Sequence, residues 1–384
     1  MGTSITLILA NSGQNIDHHR EQFMSVYNGI LGQDLAISIL QRAIEEERVS
    51  GSYLFIGPDG VGKQTTALAF AARLCGGDQA DTSTLASIQS GTYADFRSVA
   101  PTGASQMISI AQIWPRDGSS GHRPENAMLR DLHFEPIRGK KRVFLIRDAE
   151  GLGKGKADSG NSLLKTLEEP PPYAHFILTA ETPAAVPQTI LSRCQIIRFH
   201  RVPTPQIHTL LERNGIEGHL AEFLAAYSEG RPGMALRLAK APGLLEARST
   251  ILQIAHSLVY SPSISGFKLS EEFRKTAGKL KLAPDDGADA EEEKSSRDTI
   301  LLGLDLVATY FRDLLAAVVS GESARLAHPD LRKETMVAAR HISATTLQSS
   351  VQRILAVRGV IARNANSQLA IDVLFTGLAG IAKT

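Results

Sequence analysis

The stretch YLFIGPDGVGK, residues 53–63, carries the clearest structural signal in the chain. Its first four residues form a short apolar run typical of a buried strand, and the rest matches the G-x-x-x-x-G-K pattern of a phosphate-binding loop. The glycines let backbone N–H groups converge on phosphate oxygens, and the lysine reaches the terminal phosphates. Because residues 65–75 continue with a helical pattern ended by Gly76-Gly77, the order strand, loop and helix is predicted. The predicted nucleotide-binding residues are Gly57, Gly60, Gly62, Lys63, Gln64 and Thr65.

Further apolar runs on the C-terminal side of this stretch predict the rest of an α/β domain. Arg142 to Ile146 and His175 to Thr179 are typical of buried strands, and Ser162 to Leu167 of a short amphipathic helix stopped by prolines at 170–172. Strands that alternate with helices predict a parallel sheet with helices on both faces. Residues 78–126 are rich in Gly, Ser, Asp and Pro, and we interpret them as an insertion.

On the N-terminal side, one helix is expected before the first strand. Leu35, Ile39, Leu40 and Ile44 recur at helical spacing, which predicts a helix within residues 30–47. After Pro203 only helical patterns follow, so an all-α part is expected there.

Composition limits the possible functions. The 384 residues carry a formal net charge of +1, which excludes a protein that grips nucleic acid over its whole surface. Cys75 and Cys194 have no C-x-x-C neighbours, so the sequence supports neither a disulfide framework nor a zinc cluster, and a reducing, cytoplasmic compartment fits best. Charged residues interrupt the longest apolar stretch, residues 301–319, so no membrane span is expected.

The two positions that ordinarily hold Mg²⁺ at such a loop carry unsuitable residues. The residue after the loop lysine should be Ser or Thr, because its hydroxyl ligates the metal, but it is Gln64, and Thr65 comes one residue too late. The position after the strand at 142–146 is Arg147, a cation that cannot ligate Mg²⁺. Asp148 could serve as a base or as a solvated charge at the strand end. The sequence therefore predicts a degenerate acidic motif at Arg147 and Asp148 and no metal.

Several blocks of sequence together resemble the clamp-loader branch of the AAA+ ATPases, which serves bacterial DNA polymerase III. The blocks are ILGQ at 30–33, NSLLKTLEEPP at 161–171 and SRC at 192–194, with a weaker match of GRPGMAL at 230–236. Many relatives carry four cysteines after the nucleotide loop as a small zinc module, and this chain has only Cys75 in that region. The resemblance therefore implies the family fold without zinc.

The resemblance also implies the domain organisation: an AAA+ P-loop domain, a helical lid and an all-α collar through which five subunits form an open ring. In this sequence a flexible extension is expected at 1–22, followed by a nucleotide-loop domain at 23–202 in which an insertion, 78–126, takes the place of the zinc module. A lid is expected at 203–242 and a collar at 243–384, and the collar contains a solvated acidic insert at 281–297.

Site residues carried over from the family follow its motifs. In SRC, Arg193 is the arginine finger offered in trans to ATP in the neighbouring subunit, and Thr179 matches the polar sensor at the end of a strand. Gly233 stands where the family's motor usually presents a sensing Arg. Together with Gln64 and Arg147, this departure implies a subunit that does not hydrolyse ATP but lends Arg193 to a neighbour.

The expected function is therefore that of a clamp-loader stator, which helps to load the sliding clamp onto primed DNA. The implied partners are the gamma/tau and delta subunits of a heteropentameric ring, with clamp and primer-template DNA contacted through the assembly. No cofactor is required, although weak ATP or ADP binding is compatible with the glycine loop. The alternative is an active AAA+ motor of the gamma/tau type, whose Mg²⁺ would be held by other groups such as Asp148.

Overall fold

The computed structural model describes residues 26–77, 81–102, 106–114, 127–152, 158–280, 292–363 and 365–382. Its contacts divide the described chain into two units. Unit 1 contains the residues up to Gln206 together with Arg231–Gly233, and unit 2 contains Ile207–Gly230 and the residues from Met234 onward. The predicted extension at residues 1–22 lies outside the described residues.

Unit 1 is built on a parallel sheet of five strands, in the order β2-β3-β4-β1-β5. The central strands β1, β3 and β4 are buried along their whole length, which explains their continuous apolar sequences. The predicted parallel sheet is therefore confirmed. The strands are β1 (Ser52–Ile56), β2 (Phe96–Val99), β3 (Arg142–Ile146), β4 (Ala174–Ala180) and β5 (Gln195–Arg198).

Helices cover both faces of this sheet. Alternate residues of β1 enter different cores: Tyr53 and Phe55 pack with Phe70 of the following helix, whereas Leu54 and Ile56 pack in a second cluster with Phe144. The resulting α/β class is the predicted one. The helices of unit 1 are α1 (Asp34–Glu45), α2 (Lys63–Gly76), α3 (Thr82–Gln89), α4 (Ile110–Ile113), α5 (Asp158–Glu168) and α6 (Gln188–Leu191).

Part of the segment interpreted as an insertion belongs to the domain itself. Within 78–126, β2 pairs in parallel with β3, and α3 packs beside α2. The interpretation as an insertion is therefore wrong for β2, an edge strand of four residues whose sequence FRSV contains two polar residues. Residues 78–80, 103–105 and 115–126 lie outside the described residues.

The predicted helix before β1 is present as α1, and it turns only part of its apolar stripe to the core. Ala36, Ile37 and Leu40 are buried, whereas Leu35 and Ile39 are exposed. Ile44 also packs against this core, so half of the apolar stripe faces it and the other half faces solvent.

Unit 2 is all-helical within the described residues, apart from short 3₁₀ turns. This confirms the helical second part. Residues 281–291 of the predicted acidic insert lie outside the described residues, and the prediction of a loop is wrong for 292–297, which begin a long helix. Glu and Lys are good helix formers, and acidic residues in a first turn are favoured by the helix dipole. The helices are α7 (Thr204–Arg213), α8 (Gly218–Tyr227), α9 (Pro232–Ala239), α10 (Leu244–Tyr260), α11 (Gly266–Lys279), α12 (Glu292–Ser320), α13 (Arg332–Ala339), α14 (Ala344–Ala362) and α15 (Ser367–Leu378).

A polar network joins the helices of unit 2. Arg248 of α10 donates to both carboxylate oxygens of Asp330, at 2.8 and 2.7 Å, and lies 3.0 Å from the His328 ring nitrogen Nδ1. Its guanidinium covers the ring of Phe223 in α8, 4.4 Å from the centroid. The predicted lid helix α8 and the predicted collar helix α10 are thus in direct contact. No described helix is long and apolar enough to cross a membrane.

One buried ion pair fixes the approach to β3. Asp95 is fully buried and lies 3.2 Å from Arg142, and its carboxylate also accepts the backbone N–H groups of Ile137, Arg138 and Gly139. Burial alone would raise the pKa of Asp95, but these donors outweigh it and hold that pKa below its ordinary value. The pair therefore orders the turn that leads into β3.

We expect Asp95→Ala to lower the free energy of unfolding of unit 1 by about 3–5 kcal/mol, because it leaves Arg142 as an unpaired buried charge. Chemical denaturation followed by circular dichroism measures this loss. Glu46→Gln, which removes exposed pairs with Arg42 and Arg48, is the matched control and should cost no more than about 0.5 kcal/mol.

The same pair predicts a pH dependence. The pKa of Asp95 is lower in the folded state than its unfolded value of about 3.9. The contribution of Asp95 to the free energy of unfolding is therefore complete above about pH 3.9 and declines as the pH falls through the folded pKa. If Asp95→Ala and Glu46→Gln lose equal amounts of unfolding free energy, the stabilising role of the Asp95–Arg142 pair is wrong.

Candidate functional site

The loop between β1 and α2 requires glycine at several positions. A Cβ on Gly57 would lie 2.5 Å from the Phe199 carbonyl oxygen, so no side chain fits there. Gly60 and Gly62 have φ angles of +75° and +104°, a backbone region that side chains disfavour. The structure thus places the predicted loop at the end of a buried strand, with Lys63 beginning α2.

Lys63 is tied to the carbonyls of its own loop. Its ammonium donates to the carbonyl oxygens of Gly57 at 2.7 Å and Pro58 at 2.9 Å, and the residue is buried. Burial lowers the pKa of Lys63, and nearby carboxylates oppose that shift. In this conformation the lysine stabilises the loop itself.

Acidic groups dominate the surroundings of this lysine. Asp59, Asp148, Glu150 and Glu181 all interact electrostatically with Lys63. Desolvation, followed by the charges of Glu150 and Asp59, raises the pKa of Asp148 above its ordinary value. A phosphate chain entering without a metal ion would meet one lysine among four carboxylates, which disfavours anion binding.

The residues at the two magnesium positions do not fit Mg²⁺. Gln64 is half-buried where a short hydroxyl is needed, and Thr65 is exposed on α2. The next hydroxyl, that of Thr66, donates to the Gly62 carbonyl at 2.8 Å. Arg147 directly follows β3, and its backbone N–H donates to Val99 at 2.8 Å. Among the residues that the structure describes, no group of three or more His, Cys, Asp or Glu side chains could hold a metal.

Two contacts hold the loop from outside. The amide nitrogen of Gln33 donates to the carbonyls of Val61 at 3.2 Å and His200 at 2.7 Å, so it links the loop to the end of β5. The N–H of Gly233 donates to the Gly60 carbonyl at 2.8 Å, and a Cβ on Gly233 would lie only 3.1 Å from that oxygen. The ILGQ motif gives no sign of this role of Gln33, because the role depends on His200, 167 positions away.

Thr179, the predicted sensor, lies at the end of β4 next to β3. Its hydroxyl accepts the backbone N–H of Asp148 at 3.1 Å, and Asp148 has a φ of +48°. Asp tolerates this left-handed conformation better than most residues. The contact brings two predicted site residues together and gives each of them a structural role.

Arg193, the predicted finger, lies in the connection between α6 and β5. Its Nε donates to a carboxylate oxygen of Glu168 at 2.7 Å, and its Nη2 donates to the same oxygen. Its Nη1 donates to the Thr189 carbonyl at 2.7 Å and the Ser192 hydroxyl at 3.1 Å. The side chain is 30% exposed and therefore accessible to a partner. Desolvation raises the pKa of the adjacent Cys194 to about 12, which leaves it a neutral thiol.

The chain is similar to subunits of bacterial DNA polymerase III. Residues 32–203 match the model of the family described as DNA polymerase III, delta subunit. The chain is 27% identical over 330 residues to DNA polymerase III subunit delta′ of Bacillus subtilis (strain 168), covering 85% of this chain and 88% of the relative. It is 31% identical over 217 residues to DNA polymerase III subunit tau of Escherichia coli (strain K12), covering 54% of this chain and 32% of the relative. A solved gamma-subunit-related protein of Thermotoga maritima aligns over 89% of this chain and 97% of its own, at 16% identity and a TM-score of 0.38.

We expect the purified chain to bind Mg-ATP only weakly, with a dissociation constant above about 0.1 mM, because Gln64 and Arg147 provide no magnesium ligands. Isothermal titration calorimetry with Mg²⁺ and with EDTA measures this, and Lys63→Ala is the control for the loop. Micromolar binding that requires Mg²⁺ and disappears in Lys63→Ala would contradict the expectation.

Proposed function

We propose that this chain is the stator subunit of a clamp loader. The proposal is supported by its similarity to a bacterial DNA polymerase III delta′ subunit and by the match of residues 32–203 to the delta-subunit family model. In this role it helps to load the sliding clamp onto primed DNA. It hydrolyses no ATP itself and lends Arg193 to the ATP site of a neighbouring subunit.

The main support for the stator role is the combination of a preserved nucleotide loop with unsuitable magnesium positions. The glycines and Lys63 keep the fold of the loop, whereas Gln64 and Arg147 remove both ligands. The bonds of Lys63 to Gly57 and Pro58 let the loop keep its shape without phosphate. A subunit of this kind contributes structure rather than turnover.

The chemistry of the finger supports the contribution in trans. A guanidinium stabilises the charge that develops on a transferring phosphoryl group, provided that it reaches the group from a neighbouring surface. Arg193 stands on a short connection and is partly exposed. It is the residue that we assign to catalysis in the assembled complex.

The proposed partners are gamma/tau-type and delta-type subunits in a heteropentameric ring. The sliding clamp and primer-template DNA would be contacted through this assembly, which fits a formal net charge of only +1. The presence of two cysteines without metal-binding spacing fits the cytoplasmic compartment in which replication takes place.

A second candidate function is that of an active motor of the gamma/tau type. The retained loop at residues 57–63 and the similarity to tau favour it. This function needs a magnesium ligand set, and Asp148 would have to supply part of it. Two observations weigh against that role. The backbone N–H of Asp148 is hydrogen-bonded to the Thr179 hydroxyl, and the residue before Asp148 is the cation Arg147.

We expect Arg193→Ala to leave the assembled complex intact but to lower ATP hydrolysis at the site that it serves by a factor on the order of 10³ or more. The measurement is single-turnover ATP hydrolysis by a complex reconstituted with a tau/gamma-type and a delta-type subunit from the same organism, with clamp and primed DNA.

Arg198→Ala is the matched control, because it removes an exposed positive charge from β5, five residues away. It should leave the rate unchanged. An intact Arg193→Ala complex that hydrolyses ATP at the wild-type rate at every site would show that the finger assignment is wrong.

A further inference from the structure

We propose that Glu168 is a positioning residue for Arg193, which it holds on this chain until a phosphate in the neighbouring ATP site displaces its carboxylate. The inference rests on the proposed function, since it concerns when the finger is free to act. Glu168 is the last residue of α5, and Arg193 follows it 25 positions later, beyond β4 and α6. The pair therefore links two separate elements of unit 1.

The geometry leaves the guanidinium with few free donors. An arginine has five N–H groups, and four of them are used here: Nε and one on Nη2 by Glu168, and two on Nη1 by Thr189 and Ser192. Only one N–H on Nη2 remains. Because a bidentate contact to phosphate needs two parallel N–H groups, Arg193 cannot make one in this conformation.

Glu168 is the partner that can be exchanged. The side chains of Arg193 and Glu168 are 30% and 44% exposed, and exposed ion pairs are held only weakly. The Thr189 acceptor is a backbone carbonyl inside α6 and is fixed by the helix. An ATP phosphate chain carries several negative charges against the single charge of Glu168, so it competes for the same N–H groups.

This exchange has a measurable consequence for ATP binding. Only the fraction of molecules with a released finger can engage the neighbouring phosphate, and the apparent affinity for ATP is the intrinsic affinity multiplied by that fraction. Removing the Glu168 carboxylate should therefore strengthen apparent ATP binding. A carboxylate that merely supported the fold would have the opposite effect or none.

The test compares Glu168→Ala with Glu169→Ala in the reconstituted complex. Glu169 is the adjacent exposed carboxylate, so its removal changes the charge equally. We expect Glu168→Ala to lower the KM for ATP about 2- to 5-fold with kcat retained, Glu168→Gln to give an intermediate value, and Glu169→Ala to match wild type. The difference between Glu168→Ala and wild type should shrink as salt is raised, since screening weakens the pair.

A second measurement on the purified chain is independent of the partners. In ¹⁵N-arginine side-chain spectra, the Nε–H signal of Arg193 should exchange slowly with water in wild type and in Glu169→Ala, and fast in Glu168→Ala. Arg193→Ala identifies the signal.

The outcomes separate this inference from the proposed function. If Arg193→Ala lowers turnover but Glu168→Ala leaves KM unchanged or raises it, the role of Glu168 is wrong and the finger stands. If Arg193→Ala has no effect on turnover, the proposed function itself fails. In the Arg193→Ala background, Glu168→Ala should have no further effect on KM, and an effect there would also overturn the inference.

Discussion

The hydrogen bonds from the Lys63 ammonium to the carbonyls of Gly57 and Pro58 are the interaction on which the shape of the loop between β1 and α2 depends. A phosphate loop normally exposes its lysine to an anion, but here the lysine and the loop satisfy each other. Gln33 and the backbone of Gly233 hold the same loop at two further points. These contacts support the proposal that the loop serves as a structural element in this chain.

Under the proposed function, the catalytic contribution of this chain comes from the surface that carries Arg193 and not from the loop. Four carboxylates lie near Lys63, but the two positions that ordinarily hold Mg²⁺ carry Gln64 and Arg147. Tight packing alone requires Gly57, whose missing Cβ makes room for Phe199. By contrast, the Arg193 side chain is accessible and is held by a weak pair that an anion can replace.

The sequence predicts the central part of the fold and much less of its edges. β1, β3 and β4 are continuous apolar runs, because both faces of each strand are buried. The edge strands β2 and β5 are short and carry exposed polar residues, so neither a run of apolar residues nor an apolar–polar alternation marks them in the sequence. The phosphate loop is a local pattern that its glycines and lysine make recognisable in the sequence. By contrast, Gln33 contacts His200, 167 positions away, and Arg193 contacts Glu168, 25 positions away. Spacing along the chain contains no signal for such pairs.

Steady-state ATP hydrolysis by the purified chain alone, with Mg²⁺ and with Lys63→Ala in parallel, tests most directly whether the loop has become structural. We expect no turnover above that of Lys63→Ala, because neither magnesium position carries a ligand. Turnover by the wild-type chain that Lys63→Ala abolishes would contradict this, and it would make the chain a motor in its own right.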